Sequence, residues 1–198
     1  MLKRFLLLTV VCLFTATTAC ATVTDTVKKT VDEVIKTVSD KELKKKANEQ
    51  RRRSAIKKSI ATIFDSQEMA KRSLGKHWNQ RTPAERKQFT ELFAALLENS
   101  YAGKIESYNN EKIVYTKEIV DGDYAEVKSK VITAKQDEYT LDYRLMKKGD
   151  TSWMVYDVVI EGVSLVSNYR TQFNKIISTN GYQDLVKKLQ TKSNEIRM

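Results

Sequence analysis

After Tyr108 the apolar side chains of this chain stop recurring about every 3.6 positions and begin to alternate, and no other feature narrows its fold so far. Four alternating runs follow, residues 113–119, 124–134, 139–147 and 152–160. They are parted by Asp121-Gly122-Asp123, Lys135-Gln136-Asp137 and Lys148-Gly149-Asp150. Links this short join antiparallel neighbours, because a parallel crossover needs about a dozen residues or more. In the third run Tyr139, Leu141, Tyr143 and Leu145 share one face and Thr140, Asp142 and Arg144 the other, so one side is buried. The fourth sets Trp153, Val155 and Val159 against Met154, Val158 and Ile160, which predicts a strand covered on both faces.

The amino-terminal part keeps the helical period. From Val23, apolar residues return at Val27, Val31, Val34, Ile35 and Val38, one stripe on an otherwise polar helix. A second helical stretch is predicted through Leu43 and Ala47 to Ile56, Ile60, Ile63 and Phe64. Asp65-Ser66 can then cap a short helix that holds Met69 and Leu74 and ends at Gly75. Thr82-Pro83-Ala84-Glu85 puts a capping Thr before a proline at the first helical position, with a Glu placed to return the bond. The helix it starts carries the stripe Phe89, Leu92, Phe93, Leu96, Leu97 and Tyr101, wide enough for one wall of a core or a cavity. Two closing helices, 165–177 and 183–190, are divided at Asn180-Gly181. Helices, an antiparallel meander and helices again make an α+β fold. It has a sheet of at least four strands with helices packed over one face, in a single domain spanning residues 22–198.

The first 21 residues stand apart. Lys3 and Arg4 precede a run at 5–14 that is apolar but for Thr9, and Ala19-Cys20-Ala21 supplies small residues for cleavage. This reads as a secretory signal peptide, residues 1–21, and the run is well short of the roughly 20 residues that span a bilayer. Lipid attachment at Cys20 is the lesser alternative, since the apolar residue usual three positions before such a cysteine is missing. Cys12 and Cys20 are the two cysteines and His77 the one histidine, so the exported part has no disulfide, no cysteine nucleophile and no His-rich metal site.

The formal charge of +10 is concentrated. Segment 41–58 has nine Lys/Arg against two Glu, a net of +7, whereas residues 59–198 carry +2. No aromatic falls between Ala21 and Phe64, so the interleaved stacking residues of a nucleic-acid binder are missing. The segment reads either as a solvated helix face or as a docking handle for anionic lipid or an acidic partner. A basic adhesion or nucleic-acid module would rest on this segment alone.

For catalysis the candidates are few. Asp142, Asp157 and Glu161 lie in or beside predicted strands, and His77 precedes Trp78 at a helix end, beside a turn, where a surface position is expected. Carboxylates at strand ends commonly accept backbone N–H bonds, and no serine elbow or phosphate-cradling glycine loop is found. An enzyme acting on an apolar substrate would need Asp142 or Asp157 to point into the cavity that a curved sheet and its helices can enclose.

The run from Trp153 to Phe173, with Asp157-Val158, Glu161-Gly162-Val163-Ser164-Leu165 and Asn168-Tyr169-Arg170, resembles the hallmark region of the MlaC-type family. These are periplasmic phospholipid-binding components of the lipid-asymmetry, or toluene-tolerance, system. Phe64-Asp65, Met69-Ala70, Leu74-Gly75 with Trp78, Tyr101-Ala102-Gly103 and Asp142-Tyr143-Arg144-Leu145 continue the likeness over residues 60–190. The resemblance implies an NTF2-like body whose apolar cavity, between sheet and helices, holds the acyl chains of a phospholipid with its headgroup at the mouth. It implies a non-enzymatic carrier without cofactor. Its cargo would move between an outer-membrane lipoprotein–porin complex and an inner-membrane ABC transporter with an MCE subunit. Hopanoid-associated relatives share the motif. On this reading Phe93, Leu96, Leu97, Tyr101, Val127, Val131, Leu141 and Tyr143 line the cavity, and Arg144, on the opposite strand face, is the phosphate candidate. Asp157, Glu161, Asn168, Tyr169 and Arg170 fix the strand-to-helix corner.

Overall fold

In a computed structural model of the protein, which describes residues 21–149 and 152–195, five strands form one antiparallel sheet in the order β1-β2-β3-β4-β5. The strands are β1 Lys112–Asp121, β2 Tyr124–Ile132, β3 Glu138–Lys148, β4 Ser152–Ile160 and the two-residue β5 Val163–Ser164. The proposed leader falls outside the described residues except for Ala21, as does Asp150 of the third turn.

Helix α1, Val23–Ser39, begins at a reciprocal cap in which the Thr22 hydroxyl accepts from the Asp25 N–H and the Asp25 carboxylate from the Thr22 N–H. Val23 and Val27 pack it onto the sheet. The second helical stretch is shorter than predicted. Asp40 is extended and its carboxylate accepts the N–H groups of Glu42 and Leu43, so the chain turns before α2, Glu49–Ala61, can start. Ile63 and Phe64 also lie outside that helix. They run beside β4, with the Val155 N–H donating to the Ile63 carbonyl at 2.7 Å and the Asp65 N–H to the Val155 carbonyl at 2.9 Å. Propensity loses here because the β4 edge offers backbone partners that a further helical turn would forgo.

Asp65 then caps α3, Ser66–Leu74, through the Glu68 N–H, and Gly75 ends it. Helix α4, Pro83–Glu106, opens with the predicted Thr82/Glu85 capping box. Helices α5, Leu165–Asn180, and α6, Tyr182–Glu195, close the fold. Helix α4 packs most extensively on α3 and α6.

The fourth strand holds a correction to simple alternation. Its register against β3 slips between Arg144↔Asp157 and Leu145↔Val155, leaving Tyr156 as an extra residue. The bulge exchanges faces midway, so that Trp153, Val155, Val158 and Ile160 join one apolar cluster. Asp157 and Val159 are buried too. The link to β5 is a two-residue turn with Glu161 at φ 49° and Gly162 at φ 76°, the paired left-handed conformation that closes a tight hairpin.

Candidate functional site

The apolar interior is divided. One cluster is helical and is built on Met69, Leu74, Trp78, Phe89, Phe93, Phe173 and Leu185. The other lies on the sheet face beneath α1 and holds Val23, Val27, Val127, Tyr143, Leu145 and Val155. Phe64 packs against both, and the first turn of α5 sends Leu165 to the sheet cluster and Val166 to the helical one. The side chains at the margins are half-buried: Leu92, Leu97 and Tyr169 on the helical side, Tyr115, Leu141, Ile160 and Leu165 on the sheet side. The two cores thus meet at Phe64 and the first turn of α5, with incompletely buried apolar side chains at their margins.

The residues expected to line a cavity fall into different depths of this arrangement. Phe93 is enclosed by rings: Phe89 stacks at 6.0 Å, and Tyr169 and Phe173 meet it edge-on at 5.3 and 5.6 Å. Leu96 is buried beside it, while Leu97 and Tyr101 are half-buried further along α4. On the sheet Val127 and Val131 are buried, and so is Tyr143, whereas Leu141 is half-buried. Burial raises the Tyr143 hydroxyl far above the ordinary tyrosine range, with the nearby Tyr115, Tyr139 and Asp142 adding to it. Tyr101 is raised more modestly, by burial first and then by Tyr169.

Arg144 lies on the other sheet face from Tyr143 and is held by acids there. Its guanidinium is 3.4 Å from Asp157 and 3.5 Å from Glu126. Asp157 also accepts from the Ser164 hydroxyl and from the Val166 N–H at 3.0 Å, so one carboxylate ties β4, β5 and the start of α5 together. Glu161 accepts from the Thr140 N–H, and its own N–H donates to the Thr140 carbonyl at 3.1 Å. Tyr169 contributes by its ring, stacked on Phe173 at 5.5 Å. Asp142 accepts the Ser129 N–H at 3.0 Å. The carboxylates of Asp142 and Asp157 both accept backbone N–H groups.

His77, expected at the surface, is buried at 9% exposure, with Nε2 3.0 Å from Asn174 Oδ1. Its turn is folded under α5, which alternation and capping signals do not report. Beside it a groove of about 430 Å³ runs between Leu74, Gly75 and Lys76 on one side and Arg170, Thr171 and Asn174 on the other. Gly75 has φ 56°, and a Cβ there would stand 3.3 Å from Arg170 Cδ, which accounts for glycine at this point. Among the described residues no group of three or more His, Cys, Asp or Glu could hold a metal, and no helix is long and apolar enough to cross a membrane.

Of the basic segment 41–58, four cations are paired. Arg52 and Arg53 reach Glu106 at 3.0 and 3.4 Å, Lys57 reaches Glu98 at 2.8 Å, and Lys45 reaches Glu42 at 2.7 Å. The first three fasten α2 to α4. Phe64, Tyr115, Ile160 and Leu165 also border the two cores, although none of them stands out in the sequence as a lining residue. The alternation Ile113, Tyr115 places Tyr115 on the inner face, but a bulge shifts the register just beyond it.

Comparison with known proteins locates the whole arrangement. A family model described as MlaC protein matches residues 28–191. The intermembrane phospholipid transport system binding protein MlaC of Haemophilus influenzae is 25% identical over 147 residues, covering 72% of this chain and 69% of that protein. The toluene tolerance protein ttg2D of Pseudomonas putida is 27% identical over 129 residues, 64% of this chain and 60% of its own length. Among solved structures, the phospholipid-binding protein from Ralstonia solanacearum in complex with a phospholipid superposes with a TM-score of 0.78 at 29% identity. The match spans 87% of this chain and 97% of that one.

Proposed function

Since the chain belongs to the MlaC protein family, we propose that it is a carrier that binds a phospholipid with its acyl chains in the seam between sheet and helices. The observation that supports this most is the likeness to a phospholipid complex over nearly all of the latter's chain. Leu97 and Tyr101 on α4 and Leu141 and Tyr143 on β3 face the chains, with Phe93, Leu96, Val127 and Val131 as the packed walls behind them. Arg144 is committed to Asp157 and Glu126 on the far sheet face, so the phosphate is held elsewhere, at the mouth.

The physics favours such a carrier. At about 0.8 kcal/mol per CH₂, exposing two acyl chains to water costs roughly 20 kcal/mol or more, so unassisted passage through an aqueous compartment is negligible. A seam with apolar margins removes that cost. Since lipid passes from one apolar setting to another, loading can be nearly neutral and the same seam can accept and release.

Residues 1–21 direct export and are removed, and the carrier works in the periplasm. It takes lipid from or delivers it to an inner-membrane MCE-type ABC transporter complex and an outer-membrane lipoprotein–porin complex. The chain does no chemistry on its cargo and needs no cofactor, with Asp142 and Asp157 serving backbone N–H groups instead. The test is native mass spectrometry of protein purified under mild conditions, with extraction of its lipid. Phospholipid at about one per chain is expected; a lipid-free protein that also fails to take up added phospholipid ends the proposal.

A further inference from the structure

Three tyrosines stand on the sheet face beneath α1. In the ladders Tyr115 is paired with Ser129, Tyr143 with Val127 and Tyr139 with Val131, on three adjoining strands. Around Tyr115 and Tyr143 the surroundings are apolar, with Val127, Leu145 and Val155 from the sheet and Val23 and Val27 from α1 in the same cluster, while Tyr139 is exposed. The Tyr115 hydroxyl is enclosed, and no donor or acceptor among the described residues reaches it. Its polar neighbours in the ladder are already engaged. Ser129, 1% exposed, gives its hydroxyl to the Leu141 carbonyl and its N–H to Asp142.

An enclosed hydroxyl without a partner destabilises the protein, and phenylalanine would fill the same space without that cost. Burial, with the Asp32 carboxylate adding to it, pushes the Tyr115 hydroxyl up to about 12, so at neutral pH it is a donor in need of an acceptor. Enclosure among apolar side chains disfavours a charged phosphate at this spot and leaves a neutral acceptor as the better match. A lipid whose chains enter an apolar seam brings neutral acceptors of one kind to their roots, the ester carbonyl oxygens.

We infer that the Tyr115 hydroxyl donates a hydrogen bond to an ester carbonyl of the bound lipid, so that the carrier prefers acyl-ester lipids to their ether-linked counterparts. The inference rests on the carrier reading above. It places a polar anchor inside the seam, at a residue on the edge strand, and sets the depth to which the chains descend.

The test pairs a one-atom change in the protein with a one-group change in the cargo. Wild type and Tyr115→Phe are each loaded with 1-palmitoyl-2-oleoyl phosphatidylethanolamine or with its dialkyl ether analogue, and retention is measured by competition with a fluorescent phospholipid. Wild type should hold the ester lipid about five- to tenfold more tightly than the ether lipid, the range of one hydrogen bond, and Tyr115→Phe should abolish the difference. With ¹³C-labelled ester carbonyls, the infrared stretch should move to lower frequency in wild type and not in the variant. An unchanged preference in Tyr115→Phe, or no preference in wild type while both lipids are held, overturns the inference and leaves the carrier reading standing. Failure of wild type to hold either lipid overturns both.

Discussion

Asp65, only 9% exposed, does two things with one side chain: it caps α3 through the Glu68 N–H and pairs with Lys148 at 2.7 Å. Its pKa reflects the competition. Burial raises it, the hydrogen bond from Lys148 and the backbone N–H of Glu68 lower it, and the net result lies below the ordinary carboxylate value. A carboxyl whose folded pKa is depressed contributes stability that is fully present above its unfolded value and is lost as pH falls through the folded one. Asp65→Asn should therefore be less stable than wild type at pH 7, and the two should converge as pH falls below about 4. Urea unfolding at a series of pH values checks this; a constant difference across the acid range would show that Asp65 contributes by shape and not by charge. At the same scale, residue chemistry separates members of the hallmark run that look alike in sequence. Asp157 and Glu161 are acceptors for backbone N–H groups, Tyr169 is a ring in the helical core, and Arg170 is the side chain against which Gly75 closes.

At the scale of elements, the corner from β4 to α5 is where the fold is most tightly specified. Glu161 and Gly162 both have positive φ, Ser164 caps α5 through the Ser167 N–H, and Asp157 reaches across to the Val166 N–H. Gly162→Ala puts a Cβ into the left-handed conformation with nothing within 4 Å to gain from it, and should cost about 1–2 kcal/mol, measured by urea unfolding. A neutral result would mean that the turn relaxes to another type. The elements themselves were largely legible in the chain, because each carries its own local signal. Thr82-Pro83 with Glu85, the cap at Asp65, and the alternation of β1 to β4 speak of backbone conformation directly. What could not be read was decided by partners remote in sequence. Ile63 and Phe64 continue a helical stripe yet leave the helix to pair with Val155, and the β4 bulge at Tyr156 turns a two-faced apolar pattern into one aligned face and a separate buried pair. Lys41 to Ala47 look helical by spacing, but Asp40 turns the chain first.

At the scale of the whole molecule, the division of the interior into two clusters matters more than either cluster. The candidate residues were legible as apolar faces, but which of them pack as core and which border the seam depends on how α4 sits against the sheet, and neither the α4 stripe nor the β3 alternation contains that distance. Phe93 and Leu97, four positions apart on one stripe, illustrate it. Phe93 is 1% exposed and ringed by Phe89, Tyr169 and Phe173, while Leu97 is half-buried at the margin. Their variants should therefore fail in opposite ways. Phe93→Ala removes the centre of an aromatic cluster and should cost about 3–5 kcal/mol of stability, measured by denaturant unfolding. Leu97→Trp adds volume where packing is incomplete, so it should keep the fold to within about 1.5 kcal/mol and reduce phospholipid occupancy, measured by native mass spectrometry. Wild-type occupancy in Leu97→Trp at unchanged stability would move the acyl chains away from α4, leaving the sheet margin of Tyr115, Leu141 and Ile160 to hold them. If Leu97→Trp unfolds the protein, Leu97 is core, and the seam is narrower than its half-buried margins imply.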